Sequence, residues 1–514
     1  MISSFKERKL ILYFFLYNLP LILFFHKINL QQIQIFDLSI IFFFHSLFFL
    51  VLFLIINLTA NILKANKDIF LFVSFFFYYL IFYYYSIKNQ ILNILNNIIQ
   101  LGFFLDFFIL LSYFLVFIFL YRLIIKQKYF NAIKIFTAIF LLLNYSIFIF
   151  QIFTTYSFSA KKNYLTNNVQ VTKNQGNIYY IIFDGMTSLD NAERNNIINN
   201  QKEIENRFKN LNATYIKNSI SNYSSTYLSL ASIFDLDYPV KEINKKYKNR
   251  FNFFPYMLTH GKNSVLLLDI LQQVNKKMFW VGNNWAPCNS QRDNYIIKCN
   301  QYKNKYLSLL LNFYSISPLK KVVYFFTSSD EDLKFISNPK KYLNSLSNNN
   351  SFFFIHLLIP HDELLDSNCN IIKNKNKVKN TQFYKAQYSC SINKIYEILE
   401  SINSADSGEK IVIISGDHGW HLSKHDVKKP NVVKGKLNAA KKINFIERSK
   451  IFNLIVAPER CKLRDSILFI RSPINNMRFA LNCMHGINLP YLDNEHFVSF
   501  YETSKSYGQV IQLK

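Results

Sequence analysis

At three places in the chain, acid and imidazole groups directly follow an apolar, strand-like run. Asp184-Gly185 follows NIYYIIF, Pro360-His361-Asp362 follows SFFFIHLLI, and Asp417-His418-Gly419 follows KIVIISG. Two carboxylates and an imidazole are hard and borderline ligands of the kind that hold a divalent ion such as zinc or manganese. Each motif also has a plainer role, since Asp-Gly is a common turn and a lone His is often structural. Their recurrence at strand ends, with Asp417 and His418 adjacent on a Gly turn, favours a metal site.

A fourth stretch is rich in hydroxyls. In SNYSSTYLSLASIF (221–234) the Ser and Thr residues are crowded together, and Leu228, Leu230, Ala231, Ile233 and Phe234 then follow a helical pattern. The helix is expected to start near Ser225 or Thr226. A hydroxyl there sits at the positive end of the helix macrodipole, beside free N–H groups that can hold phosphate oxygens. If it also binds a metal, its pKa falls and it can act as a nucleophile near neutral pH. Taken alone, the stretch reads equally well as a polar cap. Thr187 and Ser188 are rival nucleophiles close to Asp184, and their structural alternative is to cap the helix that SLDNAERNNI begins.

The elements that must position these groups are short apolar strands separated by polar helical stretches. Candidate strands are 177–183, SVLLLD (264–269), KMFWV (277–281), 351–357, 410–415 and FNLIVA (452–457). Fully apolar strands alternating with helices predict an α/β domain with a mainly parallel sheet buried on both faces. Such sheets bind ligands just past the carboxyl ends of their strands, where the acid and imidazole groups fall.

The region before about residue 156 differs in kind. Segments 10–25, 39–58, 69–87, 105–125 and 135–153 are each apolar on the scale of a membrane span, which needs roughly 20 residues. An all-α transmembrane bundle of five spans (1–156), a linker (157–174) and an outer catalytic domain (175–514) is the expected organisation. A cleaved signal peptide is the alternative for the first segment, but the further spans and the lack of a small-residue cleavage site argue against it. Cations in the short loops (Lys6, Arg8, Lys9; Lys64, Lys67; Arg122, Lys126, Lys128, Lys134) place the N-terminus in the cytoplasm. An odd number of spans then puts the rest outside, in the periplasm or beyond the cell. ILNILNNII (91–99) reads as an interfacial helix or an ordinary connection.

The formal net charge of +27 admits nucleic acid, an anionic membrane surface or an anionic substrate as partner. The lysines are scattered among Asn and Ile, and no nucleic-acid motif is present, so nucleic acid is disfavoured. The six cysteines, Cys288, Cys299, Cys369, Cys390, Cys461 and Cys483, all fall in the outer part, as expected in an oxidising compartment. The simplest pairing is local, 288–299, 369–390 and 461–483, with other pairings open.

The FDG strand end, NYSSTYLSLAS, IPHDE and GDHG, in this order, resemble the sulfatase-like branch of the alkaline phosphatase superfamily. With the spans, the chain looks like the membrane-bound lipoteichoic-acid synthase and phosphoethanolamine transferase type, over roughly 175–495. The resemblance implies that Asp184, Thr226, Asp417 and His418 bind one catalytic metal, with Thr226 as nucleophile. It also implies that His361 lies across the pocket as a phosphate ligand or acid/base, with Asn222 a further substrate-binding candidate. Those transferases usually carry Glu where this chain has Asp184. No C/S-x-P-x-R motif of true sulfatases is present, which disfavours sulfate-ester hydrolysis. His421 and His425 do not match the spacing of a second metal site. Cys369 and Cys390 are expected to staple a loop at the rim.

The expected function is metal-dependent transfer of a phosphoethanolamine- or phosphoglycerol-type head group from a phospholipid to a glycan or lipid acceptor, through a phospho-threonine intermediate. The alternative is a membrane-anchored phosphodiesterase or sulfatase-like hydrolase. A non-catalytic binding protein is disfavoured because the motif residues are all present. A channel is disfavoured because the spans offer little beyond Asp106 and His45 to make an ion path.

Overall fold

The computed structural model describes residues 35–62, 176–239, 265–282, 296–299, 331–344, 350–361, 365–366, 368–371, 381–420, 445–499 and 510–513, with a few isolated positions elsewhere. The chain divides into two compact units, Met1–Ser159 with Asn304–Ser328, and Ala160–Lys303 with Ser329–Lys514.

In the first unit the described element is α1, Ile35–Ile62. Its segment Ser39–Ile62 is 24 residues long with a mean hydropathy of 2.7, long and apolar enough to cross a bilayer. Phe43, Leu47, Leu54, Leu58 and Ile62 are exposed on its surface. The other four expected spans, and the 91–99 stretch, lie outside the described residues.

The second unit is built on a seven-stranded sheet. In chain order the elements that bear on the site are β1 (Asn177–Phe183), α2 (Leu189–Arg194), β2 (Thr214–Tyr215), α3 (Thr226–Asp235), α4 (Leu266–Gln273), β3 (Lys277–Val281), β4 (Ile296–Cys299), β5 (Ser351–Leu357), α5 (Thr381–Ala405), β6 (Lys410–Gly416), β7 (Asn453–Val456) and α6 (Pro473–His485). The strand order is β2-β7-β6-β1-β5-β3-β4. The β1, β3, β4, β5 and β6 pairings are parallel, while β7 runs antiparallel to β6 and β2. The sheet is therefore mixed and mostly parallel.

The central strands are mostly apolar because both of their faces are covered. Tyr179, Ile181 and Phe183 of β1 face a core that includes Tyr384, Tyr388, Ile395 and Leu399 of α5. The alternate residues Ile178, Tyr180 and Ile182 face Leu230, Ile233 and Phe234 of α3, together with α4 and α6. The two-residue period of the strand thus feeds two cores.

One expected strand is a helix. SVLLLD was read as a strand, but Leu266–Gln273 is α4, preceded by Val265 in extended backbone. Leu267, Leu268, Ile270 and Leu271 are buried while Gln272 and Gln273 are exposed. That is a helical period, and unbranched Leu favours the helix over the strand. FNLIVA shortens to β7, which joins the sheet antiparallel. The short strands β2 and β4 carry too few residues to stand out as strands in the sequence.

Candidate metal centre

The sheet register brings the three motifs together. Phe183 pairs with Gly416 on one side and Leu357 on the other, so the residues after β1, β6 and β5 emerge side by side. The main chain ties these ends: Asp184 N donates to Leu357 O at 2.9 Å, and His361 N donates to Asp184 O at 3.1 Å. Small residues allow the turns. Gly185 has φ +70°, and a Cβ on Gly416 would meet Met186 O at 2.4 Å.

Asp184, Asp417 and His418 each offer a ligand atom, all within 4.8 Å of one another, and all three side chains are buried. His418 Nε2 lies 3.7 Å from Asp184 Oδ1 and 3.5 Å from Asp417 Oδ2. The ring is held by its other nitrogen, 3.0 Å from Gly419 O. A carbonyl only accepts, so Nδ1 carries the proton and Nε2 turns its lone pair inward, the arrangement a metal-binding imidazole requires. Burial above all, with the nearby Arg448 cation, holds His418 well below its ordinary pKa and so neutral.

The two carboxylates are unequal. Asp417 Oδ1 accepts from Gly185 N at 2.9 Å, yet burial and then the Asp184 charge push its pKa up to about 6. Asp184 is also buried, which raises its pKa, but His361, then His356 and His418, outweigh burial and hold it well below the carboxylate range. Asp184 Oδ1 and Asp417 Oδ2 are buried without a hydrogen-bond partner among the described residues. Two orphaned carboxylate oxygens facing an imidazole lone pair is an arrangement that costs free energy unless a cation lies among them. The residues fit a divalent ion, and the donor set suits zinc or manganese.

Thr226 joins this group. The helix α3 starts at Thr226, with Ser225 at the cap position in extended backbone, as expected. Thr226 Oγ1 lies 3.2 Å from His418 Nε2. Ser229, one turn along, donates to Asp417 O and locks α3 onto the β6 turn. His361 is half-buried, its ring centroid 6.0 Å from that of His418 and 5.1 Å from that of Trp420. Trp420 in turn stacks on Tyr384, whose hydroxyl donates to Gly185 O.

The rival hydroxyls have other work. Thr187 Oγ1 donates to Lys450 O at 3.1 Å and accepts from Asn191 Nδ2 at 2.9 Å. Ser188 caps α2. Asn222 is buried, its amide donating to Tyr238 Oη and its oxygen accepting from Ile474 N, which ties the segments flanking α3 to the start of α6. His421 and His425 lie outside the described residues. The disulfides Cys369–Cys390 and Cys461–Cys483 are formed as expected; Cys288 lies outside the described residues. Cys369–Cys390 joins the loop after His361 to α5.

Two site residues went unread in the sequence. His356, set among the apolar residues of β5, places Nε2 3.3 Å from Asp184 Oδ2. Arg448 donates to His418 Nε2 at 3.0 Å and, through Nε, to Ser224 O at 2.7 Å.

No protein-family model and no curated protein matches the chain. Among solved structures it is similar to the integral membrane lipooligosaccharide phosphoethanolamine transferase A (EptA) of Neisseria meningitidis, at 13% identity and TM-score 0.36, covering 92% of this chain and 98% of that one. It is similar to the C-terminal periplasmic domain of Escherichia coli EptC in complex with Zn, at 12% identity and TM-score 0.36, covering 66% and 93%. It is also similar to a putative sulfatase from Bacteroides thetaiotaomicron VPI-5482, at 9% identity and TM-score 0.38, covering 65% and 79%.

Proposed function

We propose that the protein is a metal-dependent phosphoryl-head-group transferase, with Thr226 as nucleophile and Asp184, Thr226, Asp417 and His418 as the residues that would hold the metal. The observation that carries this reading is the placement of Thr226 Oγ1, at the first position of a helix, 3.2 Å from the inward-facing nitrogen of His418. A divalent cation bound by these residues supplies the positive charge that lowers the hydroxyl pKa and offsets charge on the phosphoryl oxygens.

The chain's own groups define the rest. Thr226 Oγ1 forms a bond to the phosphorus of a phospholipid head group, and the bond to the diacylglycerol oxygen breaks. The threonine proton ends on that oxygen, with His361 as its carrier. The backbone N–H groups opening α3 face the phosphoryl oxygens. A glycan or lipid hydroxyl, giving its proton to His361, then attacks the phosphorus; the bond from phosphorus to Thr226 Oγ1 breaks, and His361 passes the proton to Oγ1. Attack by water instead would make the protein a phosphodiesterase.

The helix Ser39–Ile62 fits this reading by keeping the chain at a bilayer, within reach of a lipid donor. We assign the catalytic unit to the outer face, with the N-terminus cytoplasmic. The test is incubation of the full chain with zinc or manganese, a phospholipid labelled in its head group and a glycolipid acceptor. Label on the acceptor supports transfer, free head group supports hydrolysis, and unaltered phospholipid with either metal contradicts the reading.

A further inference from the structure

His418 Nε2 carries one in-plane lone pair, and besides Thr226 Oγ1, at 3.2 Å, further groups of the structure converge on it. Arg448 donates a terminal N–H to it across 3.0 Å. Asp184 Oδ1 and Asp417 Oδ2 also converge on that atom as co-ligands. A guanidinium stays protonated and only donates, so a lone pair engaged by Arg448 is not open to a cation. We propose that Arg448 competes with the divalent cation for His418 Nε2, and that the displaced guanidinium turns to the phosphoryl oxygens of the substrate. This inference rests on the metal reading above and adds a positioning residue to it.

The anchoring of Arg448 limits where the guanidinium can go. Its Nε donates to Ser224 O at 2.7 Å, two residues before Thr226. Its own carbonyl accepts from Gly419 N at 2.6 Å. A Cβ on Gly419 would lie 2.2 Å from Lys450 O and 2.9 Å from Glu447 O, so the turn after β6 is pressed against the 447–450 backbone. The guanidinium is one rigid plane, so on leaving His418 it turns as a unit about the Nε–H contact with Ser224 O. It stays beside the threonine helix, where its planar fork of donors matches phosphoryl oxygens. Arg448 thus reports to the site whether His418 is engaged.

The inference differs from a purely structural role in the sign of one effect. An arginine that only stapled the 447–450 segment to Ser224 would, on removal, loosen the site and weaken metal binding. A competitor would, on removal, strengthen it. The test uses the full chain in detergent micelles, as wild type, Arg448→Met and Arg448→Gln, the last retaining an amide donor for Ser224 O. Zinc affinity is read by competition with a chromogenic chelator, and binding of inorganic phosphate to the zinc-saturated protein by calorimetry.

Both variants are expected to bind zinc about tenfold more tightly, the scale of losing one charge-assisted hydrogen bond, and phosphate about tenfold more weakly. Unchanged or weaker zinc binding in a variant that unfolds thermally like wild type overturns the competition. Tighter zinc with unchanged phosphate binding overturns the transfer of the guanidinium to substrate. A wild type that takes up no zinc, nor manganese in the same assay, overturns the metal reading itself, whatever the variants do.

Discussion

Thr226 Oγ1 and His418 Nε2 lie 3.2 Å apart although 192 residues separate them in the chain. One opens a helix that packs on the sheet, and the other follows the strand next to the sheet centre. Ser229 ties the two elements together through Asp417 O. The hydroxyl is therefore delivered to the carboxylates by the packing of α3, and its chemistry depends on that packing.

Thr226→Ala is expected to lower head-group turnover by about 10³-fold or more, as for loss of a covalent nucleophile. Thr226→Ser keeps the hydroxyl and is expected to retain activity within about tenfold of wild type. Near-wild-type turnover in the alanine variant rules Thr226 out as nucleophile.

His356 acts on Asp184 Oδ2 from inside β5, at 3.3 Å. Replacing it with Ala frees the carboxylate to rotate, and zinc affinity is expected to fall by about 10–100-fold, as for other groups that orient metal ligands. Chelator competition measures this, and an unchanged affinity means that His356 only fills space.

The backbone contact at Gly419 leaves no room for a methyl group. Gly419→Ala is expected to destabilise the protein by about 2 kcal/mol or more, because the nearest atoms are carbonyls that cannot yield. Gly408→Ala is the control: its Cβ would meet only Asp406 Oδ1, at 3.3 Å, and the cost is expected to stay below about 1 kcal/mol. Urea unfolding of both variants checks the contrast.

Stability should also depend on pH through His496. Its Nδ1 donates to Ser221 O at 2.6 Å, and Nε2 is buried without a partner among the described residues. Burial above all lowers its pKa to about 4, against about 6.5 in an unfolded chain. The unfolded state therefore binds more protons between these values, and stability rises with pH across the window. The contribution is fully present above about pH 6.5 and is lost as pH falls towards 4, on the order of 3 kcal/mol. His496→Asn is expected to flatten that part of the unfolding-versus-pH curve; an unchanged slope contradicts the assignment.

The parts of the site legible in the sequence share a physical cause. Asp184, His361 and Asp417-His418 stand out because a parallel sheet gathers strand ends on one edge, and charged groups contrast with the apolar runs before them. Thr226 was legible because a hydroxyl run met a helical pattern. Cys369–Cys390 and Cys461–Cys483 followed from local spacing. His356 was hidden by its setting, since one His inside SFFFIHL reads as a core residue until Asp184 is found beside it. Arg448 was hidden among the many cations of KKINFIERSK, where only the fold shows which one turns inward. The error at SVLLLD came from a short apolar run whose period is ambiguous; the two glutamines that settle it lie beyond its end. Asn222 shows the reverse case, a polar residue beside the Thr226 helix whose side chain is committed to tying the segments flanking α3 to α6.

The central claim is that Thr226 carries the phosphoryl group in transit. The most direct measurement is peptide mass mapping of the zinc-loaded full chain, quenched in acid after brief exposure to a phospholipid with a labelled head group and no acceptor. The account predicts a head-group phosphate ester on the peptide containing Thr226 and none on that peptide in Thr226→Ala. The same ester on Thr187, or turnover of the lipid with no ester on any residue, contradicts it.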